Sequence, residues 1–481
     1  VPDLTDRRRY LVLAICCLSL FIVGIDNTIV NVALPAIGQD LHAPVSGLQW
    51  VLDAYLVVMA GLLILAGSTG DRLGRRRVFQ TGLAVFFLGS VLCGLAPSLD
   101  WLIAARVVQG VGGSMLNPVA MSIVTNTFVD PKQRARAIGI WGGVFGASLA
   151  LGPVVGGLLV GSVGWRWIFW VNVPVGLAAL ALSQRFVPES RAERPRRVDP
   201  VGQSLVIAVL VTLVYALIEA PSAGWASART LGCFGFVAVG LIALVGWELR
   251  RSEPLIDPRF FRSVPFAGAT VMAVSGFAAL AGFMFMNTLY LQDVLGYSAM
   301  KAGLYTLPLA AMTMVFAPVS GRLVASRGPR LPLLLAGSFM VVSGLLLCRL
   351  SATTPTALLL LAYLSMGVGF GLLNAPITNT AVSGMPRSQA GVAAAVATTS
   401  RQVGQALGVA VIVSVVVSAV HGTLQAGLPT ASHLGWWITV ACGVAIISLG
   451  MLTTGRRAQA TAAGTAARLV PEQVRTLAPT P

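Results

Sequence analysis

Gly24-Ile25-Asp26-Asn27-Thr28-Ile29-Val30-Asn31-Val32-Ala33-Leu34-Pro35 forms the second half of the first long apolar segment, and it contains an acid. A segment this long and apolar reads as a membrane-crossing helix. A carboxylate inside such a helix costs roughly 2.5–3.5 kcal/mol on insertion scales. Asp26 precedes Pro35 by nine residues. About 13 Å of helix therefore separates it from the outer end, too deep for the side chain to snorkel out. Pairing, protonation or a water-filled cavity must offset the cost.

The composition agrees with a membrane setting. The chain has 481 residues, 56% hydrophobic and only 10% charged, with mean hydropathy +0.82. A soluble protein carries about 25% charge. The apolar residues recur in blocks of about 20, enough to cross ~30 Å of hydrocarbon as helices, where a β-barrel would alternate in ~10-residue segments. The net charge of +16 sits in short connections between the blocks, so it sets orientation and does not point to nucleic acid. The six cysteines (Cys16, Cys17, Cys93, Cys233, Cys348, Cys442) all fall in apolar blocks without metal spacing. No cleavable signal peptide is expected, because Arg7-Arg8-Arg9 leads into the first span without a small-residue cleavage site.

The hydropathy pattern predicts fourteen spans: 10–34, 48–67, 78–96, 99–121, 137–160, 167–186, 201–219, 230–249, 266–291, 302–324, 331–349, 355–377, 396–419 and 434–454. Alternate connections hold 27 of the 33 basic residues, and the opposite connections only Arg166, Arg229, Lys301 and Arg349. That bias places both termini in the cytoplasm. Arg106 and Arg401 fall inside spans. The run Gly67-Ser-Thr-Gly-Asp71-Arg72-Leu-Gly74-Arg75-Arg76 returns 254 residues later as Gly321-Arg-Leu-Val-Ala325-Ser326-Arg-Gly328-Pro329-Arg330. Gly67, Gly74 and Arg76 reappear in register, and Asp71 becomes Ala325. The expected organisation is a six-helix half over 1–186, a linker with two extra spans over 187–265, a second six-helix half over 266–454, and a cytoplasmic tail over 455–481. The charged segment 187–200 reads as the link out of the first half, and the Ala/Thr/Gly/Pro-rich tail as disordered. Duplicated halves around a midplane site are a transporter architecture.

Four stretches carry a resemblance. They are Asp26-Asn-Thr-Ile-Val-Asn31-Val-Ala-Leu-Pro35 in span one, Gly67 to Arg77 after span two, and Leu102-Ile-Ala-Ala-Arg106-Val-Val-Gln109-Gly110 in span four. The fourth is Gly146-Ala-Ser-Leu-Ala-Leu-Gly152-Pro153-Val-Val-Gly156-Gly157 in span five, followed by Trp165-Arg-Trp167-Ile-Phe-Trp-Val-Asn172. Together and in this order they resemble the major facilitator superfamily, and within it the fourteen-span drug:proton antiporters. The likeness extends to resistance exporters of GC-rich antibiotic producers, of the lincomycin-resistance type. Arg outnumbers Lys 31 to 2, a coding bias in keeping with that ecology.

The resemblance implies an all-α membrane protein of the major facilitator fold, two six-helix halves plus two central helices. It implies a gating latch at Gly67, Asp71, Arg72, Gly74 and Arg76. It also implies an antiporter signature at Gly146, Gly152, Pro153, Gly156 and Gly157, and a proton-coupling arginine at Arg106. Glycines spaced by four let another helix approach closely, and Pro153 removes a backbone bond and can kink the span.

The residues add to this on their own account. Asp53, in Trp50-Val-Leu-Asp53-Ala-Tyr55, lies about 8 Å into span two, and Arg106 about 10 Å into span four, by the helical rise. Asp26, Asp53 and Arg106 therefore share a depth and are expected to form one proton-coupling cluster, with Asp26 as the proton carrier and Asp53 and Arg106 as its tuning partners. Asn31, Tyr55, Asn287 and Gln402 are candidates for the substrate path.

No phosphate-binding loop, hydrolase elbow or catalytic metal cluster occurs, which disfavours an ATP-driven pump, an enzyme or a sensor. The expectation is a plasma-membrane exporter without cofactor, driven by the proton gradient. Its partners would be an amphipathic drug or antibiotic, protons and the lipid bilayer. An exporter of the cell's own metabolite or an uptake symporter is the alternative within transport, and the span-five signature speaks against uptake.

Overall fold

The structure, a computed structural model, describes residues 5–192, 199–251, 254–383, 385 and 389–469. Fourteen of its helices are long and apolar enough to cross a bilayer: α1 Asp6–Asp40, α2 Val45–Leu73, α3 Arg75–Gly94, α4 Leu99–Thr127, α5 Lys132–Ser162, α6 Trp167–Phe186, α7 Pro200–Ala223, α8 Ala228–Glu248, α9 Val264–Val294, α10 Ala299–Arg327, α11 Arg330–Leu347, α12 Thr356–Val382, α13 Gly391–Ser418 and α14 Leu424–Thr453. Most overrun the hydropathy blocks by several residues. Hydropathy registers only the part matched to hydrocarbon, while the backbone goes on satisfying itself as helix into the polar interface.

The helix starts are chemically marked. Ser98, Ser227 and Thr423 each accept a backbone N–H of the first turn of α4, α8 and α14, and Asp130 and Asp199 do so ahead of Pro131 and Pro200. The first six spans pack chiefly on one another, as do the last six, while α7 and α8 form a pair whose α7 lies against α2. The exterior of α8 is bare apolar surface, with Leu231, Phe236, Val239, Leu241 and Ile242 exposed. In water that surface would be an aggregation site, and in lipid it is matched to its solvent.

The tail departs from expectation. Arg456–Leu469 is a helix, α15, with Ala458, Ala462 and Thr465 buried along one face. The Thr461 hydroxyl accepts from the Val264 amide at 3.1 Å, joining the helix to the start of α9. The Ala and Arg residues of this stretch are strong helix formers, and the helix persists once one face finds a partner. Residues 470–481 and 193–198, parts of the expected tail and link, lie outside the described residues.

Two ends of the bundle differ. At the arginine-poor end the first and last six spans meet directly. Gln292 of α9 donates to the Val32 carbonyl of α1 at 2.9 Å. Gln49 of α2 donates to the Val409 carbonyl and to the Ser414 hydroxyl of α13, both at 3.2 Å. Both contacts use π-helical turns, Tyr290–Val294 and Val409–Val413, which offset the regular backbone ladder where it meets the other bundle. Toward the arginine-rich end, around Gly139, Gly142 and Gly143 of α5 and Gly321 of α10, space for an added methyl is empty to 4 Å.

Candidate functional site

Asp26 is fully buried, and its partner is the equally buried Arg106. Arg106 Nη1 donates to Asp26 Oδ2 at 2.6 Å. Its Nε donates to the Val51 carbonyl of α2 at 3.0 Å, and Nη1 also reaches Gln109 Oε1 at 2.7 Å. The other carboxylate oxygen, Asp26 Oδ1, accepts from Gln109 Nε2 at 2.8 Å and from Asn172 Nδ2 of α6 at 3.2 Å. Ser90 Oγ of α3 receives second donations from the same Gln109 and Asn172 amides, at 2.9 and 3.3 Å. The Tyr55 ring lies under the guanidinium, 4.2 Å from its carbon. Five spans thus converge on one ion pair.

The local sequence explains the convergence. Arg106 and Gln109 are three apart on α4, so both face α1. Gly89 lets α4 approach α3, since a methyl there would stand 2.5 Å from the Gln109 amide nitrogen. The charge-assisted pair, with three donors on one carboxylate, offsets the cost that a lone acid would impose. Gln109 and Asn172 both lie in the motifs quoted above, but their role as donors to Asp26 is not visible from spacing. Ser90 carries no sequence signal.

Asp53 is not part of this network. It is fully buried, and among the described residues neither carboxylate oxygen has a hydrogen-bond partner. Depth brings Asp53 level with the pair, but azimuth does not. At about 100° per residue it points some 200° away from Val51 and Tyr55, the face that Arg106 occupies. It shares instead the face of Gln49, one turn before it, which meets α13; Trp50 and Gly61 on its other side meet α7. The charged groups on the surrounding helices are engaged elsewhere or at a distance: Arg106 of α4 with Asp26, Glu219 of α7 with the Trp50 indole at 3.4 Å, and Arg401 of α13 with Thr378 and Thr398.

A cavity lies between the first and last six spans. Asn27, Asn31, Tyr55, Arg106 and Gln405 supply its polar wall; Leu52, Phe145, Leu280 and Met284 are apolar. Asn31 and Tyr55 are therefore where the sequence places them. Asn287 is not. It is buried within the last six spans, accepting from the Tyr363 hydroxyl at 2.7 Å and donating to the Phe283 carbonyl. Gln402 does not line the cavity either, and its neighbour Gln405, one helical turn short of the Val409 contact, takes that place.

The span-five glycines work at two interfaces. Gly152 and Gly156 lie against Thr28 and Ile29 of α1, behind the cavity wall. Gly157 and Pro153 face α10: a methyl on Gly157 would stand 2.6 Å from the Ala299 carbonyl oxygen, and Gly303 packs on the Pro153 carbonyl. Gly146 faces Met314 at ordinary contact distance, 3.7 Å. Gly157→Val is expected to hold the arginine-poor end apart at a cost of about 1–3 kcal/mol, lowering transport at least tenfold while the fold persists. Vesicle transport at the parental rate would remove Gly157 from the closing contact.

The loop after α2, where the resemblance implies a gating latch, is held by a network of different composition from the residues expected. Asp71 Oδ1 accepts two bonds from Arg75, at 3.0 and 2.7 Å. Gly74 has φ +117°, a conformation that glycine tolerates, and a methyl there would meet the Glu189 carboxylate at 2.7 Å. Glu189 Oε1 accepts the Arg76 amide at 3.0 Å, capping α3. The Arg75 amide donates to the Ser190 carbonyl and the Ala192 amide to the Asp71 carbonyl, at 2.9 and 3.0 Å. Gly67 lies inside α2 beside Pro118, and Arg72 is exposed with no bond among the described residues. Glu189→Ala is expected to cost about 1 kcal/mol through the lost cap. A thermal midpoint equal to the parent's would contradict it.

The profile of the Major Facilitator Superfamily matches residues 16–409. The chain is 39% identical over 399 residues to the multidrug resistance protein Stp of Mycobacterium tuberculosis (strain CDC 1551 / Oshkosh), covering 83% of this chain and 74% of that one. It is 39% identical over 401 residues to the tetracenomycin C resistance and export protein of Streptomyces glaucescens, covering 82% and 74%. Among solved structures, the partially occluded inward-open xylose transporter XylE from E. coli superposes with a TM-score of 0.63 at 14% identity, over 93% of this chain and 97% of that one. Sequence, fold and site agree that the chain is a multi-span membrane transporter belonging to the major facilitator superfamily.

Proposed function

We propose that the chain exports an amphipathic antibiotic or other toxic compound across the plasma membrane in exchange for protons, conferring resistance. The observation that carries the reading is a cavity between the first and last six spans, mainly apolar with a few polar groups on its wall, backed by a buried ion pair and reached, in this reading, from the arginine-rich end. The bias of basic residues assigns that end, and both termini, to the cytoplasm. An amphipathic molecule then enters from the cytoplasm, and the relatives named for resistance and export support the outward direction. Without a phosphate-binding loop, an ion gradient supplies the energy.

Within this reading the two buried acids divide the work. Asp26, held by three donors, holds the cavity wall together. Asp53, sealed with no hydrogen-bond partner for either oxygen among the described residues, is the proton carrier. The bundles then rock about the cavity, with Asp53 loaded when the arginine-poor end is closed. Drug-susceptibility profiling of an expressing strain tests the function. Unchanged resistance across a broad panel of amphipathic compounds would refute export, and transport that persists in vesicles after the proton gradient is collapsed would refute proton coupling.

A further inference from the structure

Arg401 is a charge within a span that the proposed cycle leaves unused. It lies ten residues into α13, about 15 Å by the helical rise, and so beyond the reach of the interface. It stands on the cavity side of that helix, one turn before Gln405, which lines the cavity. Its guanidinium reaches between α9, α12 and α13. Nη2 donates to the Thr378 hydroxyl, Nη1 to the Thr398 hydroxyl at 3.4 Å, and the carbon stands 6.0 Å over the Phe277 ring. Nε is buried with no partner. A guanidinium carries five N–H donors, so hydroxyls alone leave much of its capacity and all of its charge unmatched.

No carboxylate is at hand to match it. Asp293 is the only acid between residues 264 and 455, and it lies near the far end of α9. On the opposite wall the Asp26 charge is already taken by Arg106, Gln109 and Asn172. One helical turn from the cavity lining at Gln405 there is therefore a positive group without an anionic partner among the described residues. A lipophilic cation would bring a like charge to it; an acid would supply the missing partner in the planar, two-oxygen form that a guanidinium binds best.

We infer that Arg401 is an anion-recognition site beside the cavity, one turn from its lining residue Gln405, and that the compounds this transporter takes are amphipaths with an acidic group, neutral ones binding more weakly and cations least. This rests on the export reading for its physiological meaning, but the binding can be measured alone. The probes are a carboxylated xanthene dye, its methyl ester and an amine-bearing analogue, titrated by fluorescence anisotropy against the purified full chain. The acid is expected to bind at least tenfold tighter than the ester, and the amine weakest. Arg401→Gln should erase the difference between acid and ester, and Arg401→Lys should keep part of it, with thermal midpoints recorded for both. Equal affinity of acid and ester for the parent, no binding of the acid, or equal weakening of acid and ester in Arg401→Gln would each overturn the assignment. Discrimination in binding with no export of the acid from vesicles would strike the export reading and leave Arg401 in place.

Discussion

Asp26→Asn should unseat the protein more than any other single change in the first six spans. The substitution removes the charge and leaves Arg106, 1% exposed, with no anion in reach. Breaking a buried pair by deleting one partner costs about 3–5 kcal/mol, most of it the uncompensated charge that remains. Arg106→Gln should cost a comparable amount, and the Val51 carbonyl and Gln109 would lose their donor as well. The double substitution Asp26→Asn with Arg106→Gln should be less destabilised than the two singles together, because it removes both charges and leaves neutral groups able to bond one another. Transport should be lost in all three, since the cavity wall behind Asn27 and Tyr55 loses its anchor. Thermal midpoints and vesicle transport on the same preparations make the test. Single variants that melt with the parent, or a double variant that melts at the sum of the singles, would show that the pair is not what holds α1 to α4.

How legible this was in the sequence differs by element. The fourteen spans follow from blocks of hydropathy, because the bilayer imposes a single length scale on every one of them. The Asp26–Arg106 pair follows from sign and depth, since two opposite charges at one level in hydrocarbon have few alternatives to each other. Asp53 shares that depth and was expected in the same cluster, yet it faces the other way. Depth is a one-dimensional coordinate, and the second coordinate, the direction around α2, is fixed by which residues meet which neighbours. That coordinate is partly readable in hindsight: Gln49 and Asp53 lie on one stripe, Val51 and Tyr55 on another. Glu189 is a different failure. It caps α3 from 113 residues away from Arg76, and a contact that closes through tertiary structure leaves no local pattern. Asn287 was misplaced for a related reason, because a polar residue in a span serves a cavity and a buried Tyr363 hydroxyl equally well.

Asp53→Asn is expected to separate binding from driven transport. The neutral amide reproduces the size of a protonated carboxyl, so the arginine-poor end should close at every pH, and substrate should still bind from the open side with an affinity within about threefold of the parent's. Uphill export driven by a proton gradient should be lost. The parent behaves differently because closing that end takes Asp53 out of water without giving it a partner. A charged carboxylate pays several kcal/mol for such burial, so the closed conformation holds one proton more than the open one. By linkage the closed population then falls as the pH facing the open site rises, by up to about tenfold per unit, which is 1.36 kcal/mol for one proton. Asp53→Asn should remove that slope, whereas Glu219→Gln, on the neighbouring α7, should leave it. Distance measurements between labels on the 41–44 and 295–298 connections, recorded against pH, read the populations directly. A parent whose closed fraction is flat in pH, or an Asp53→Asn variant that still exports uphill, would take the proton away from Asp53 and return it to the pair at Asp26.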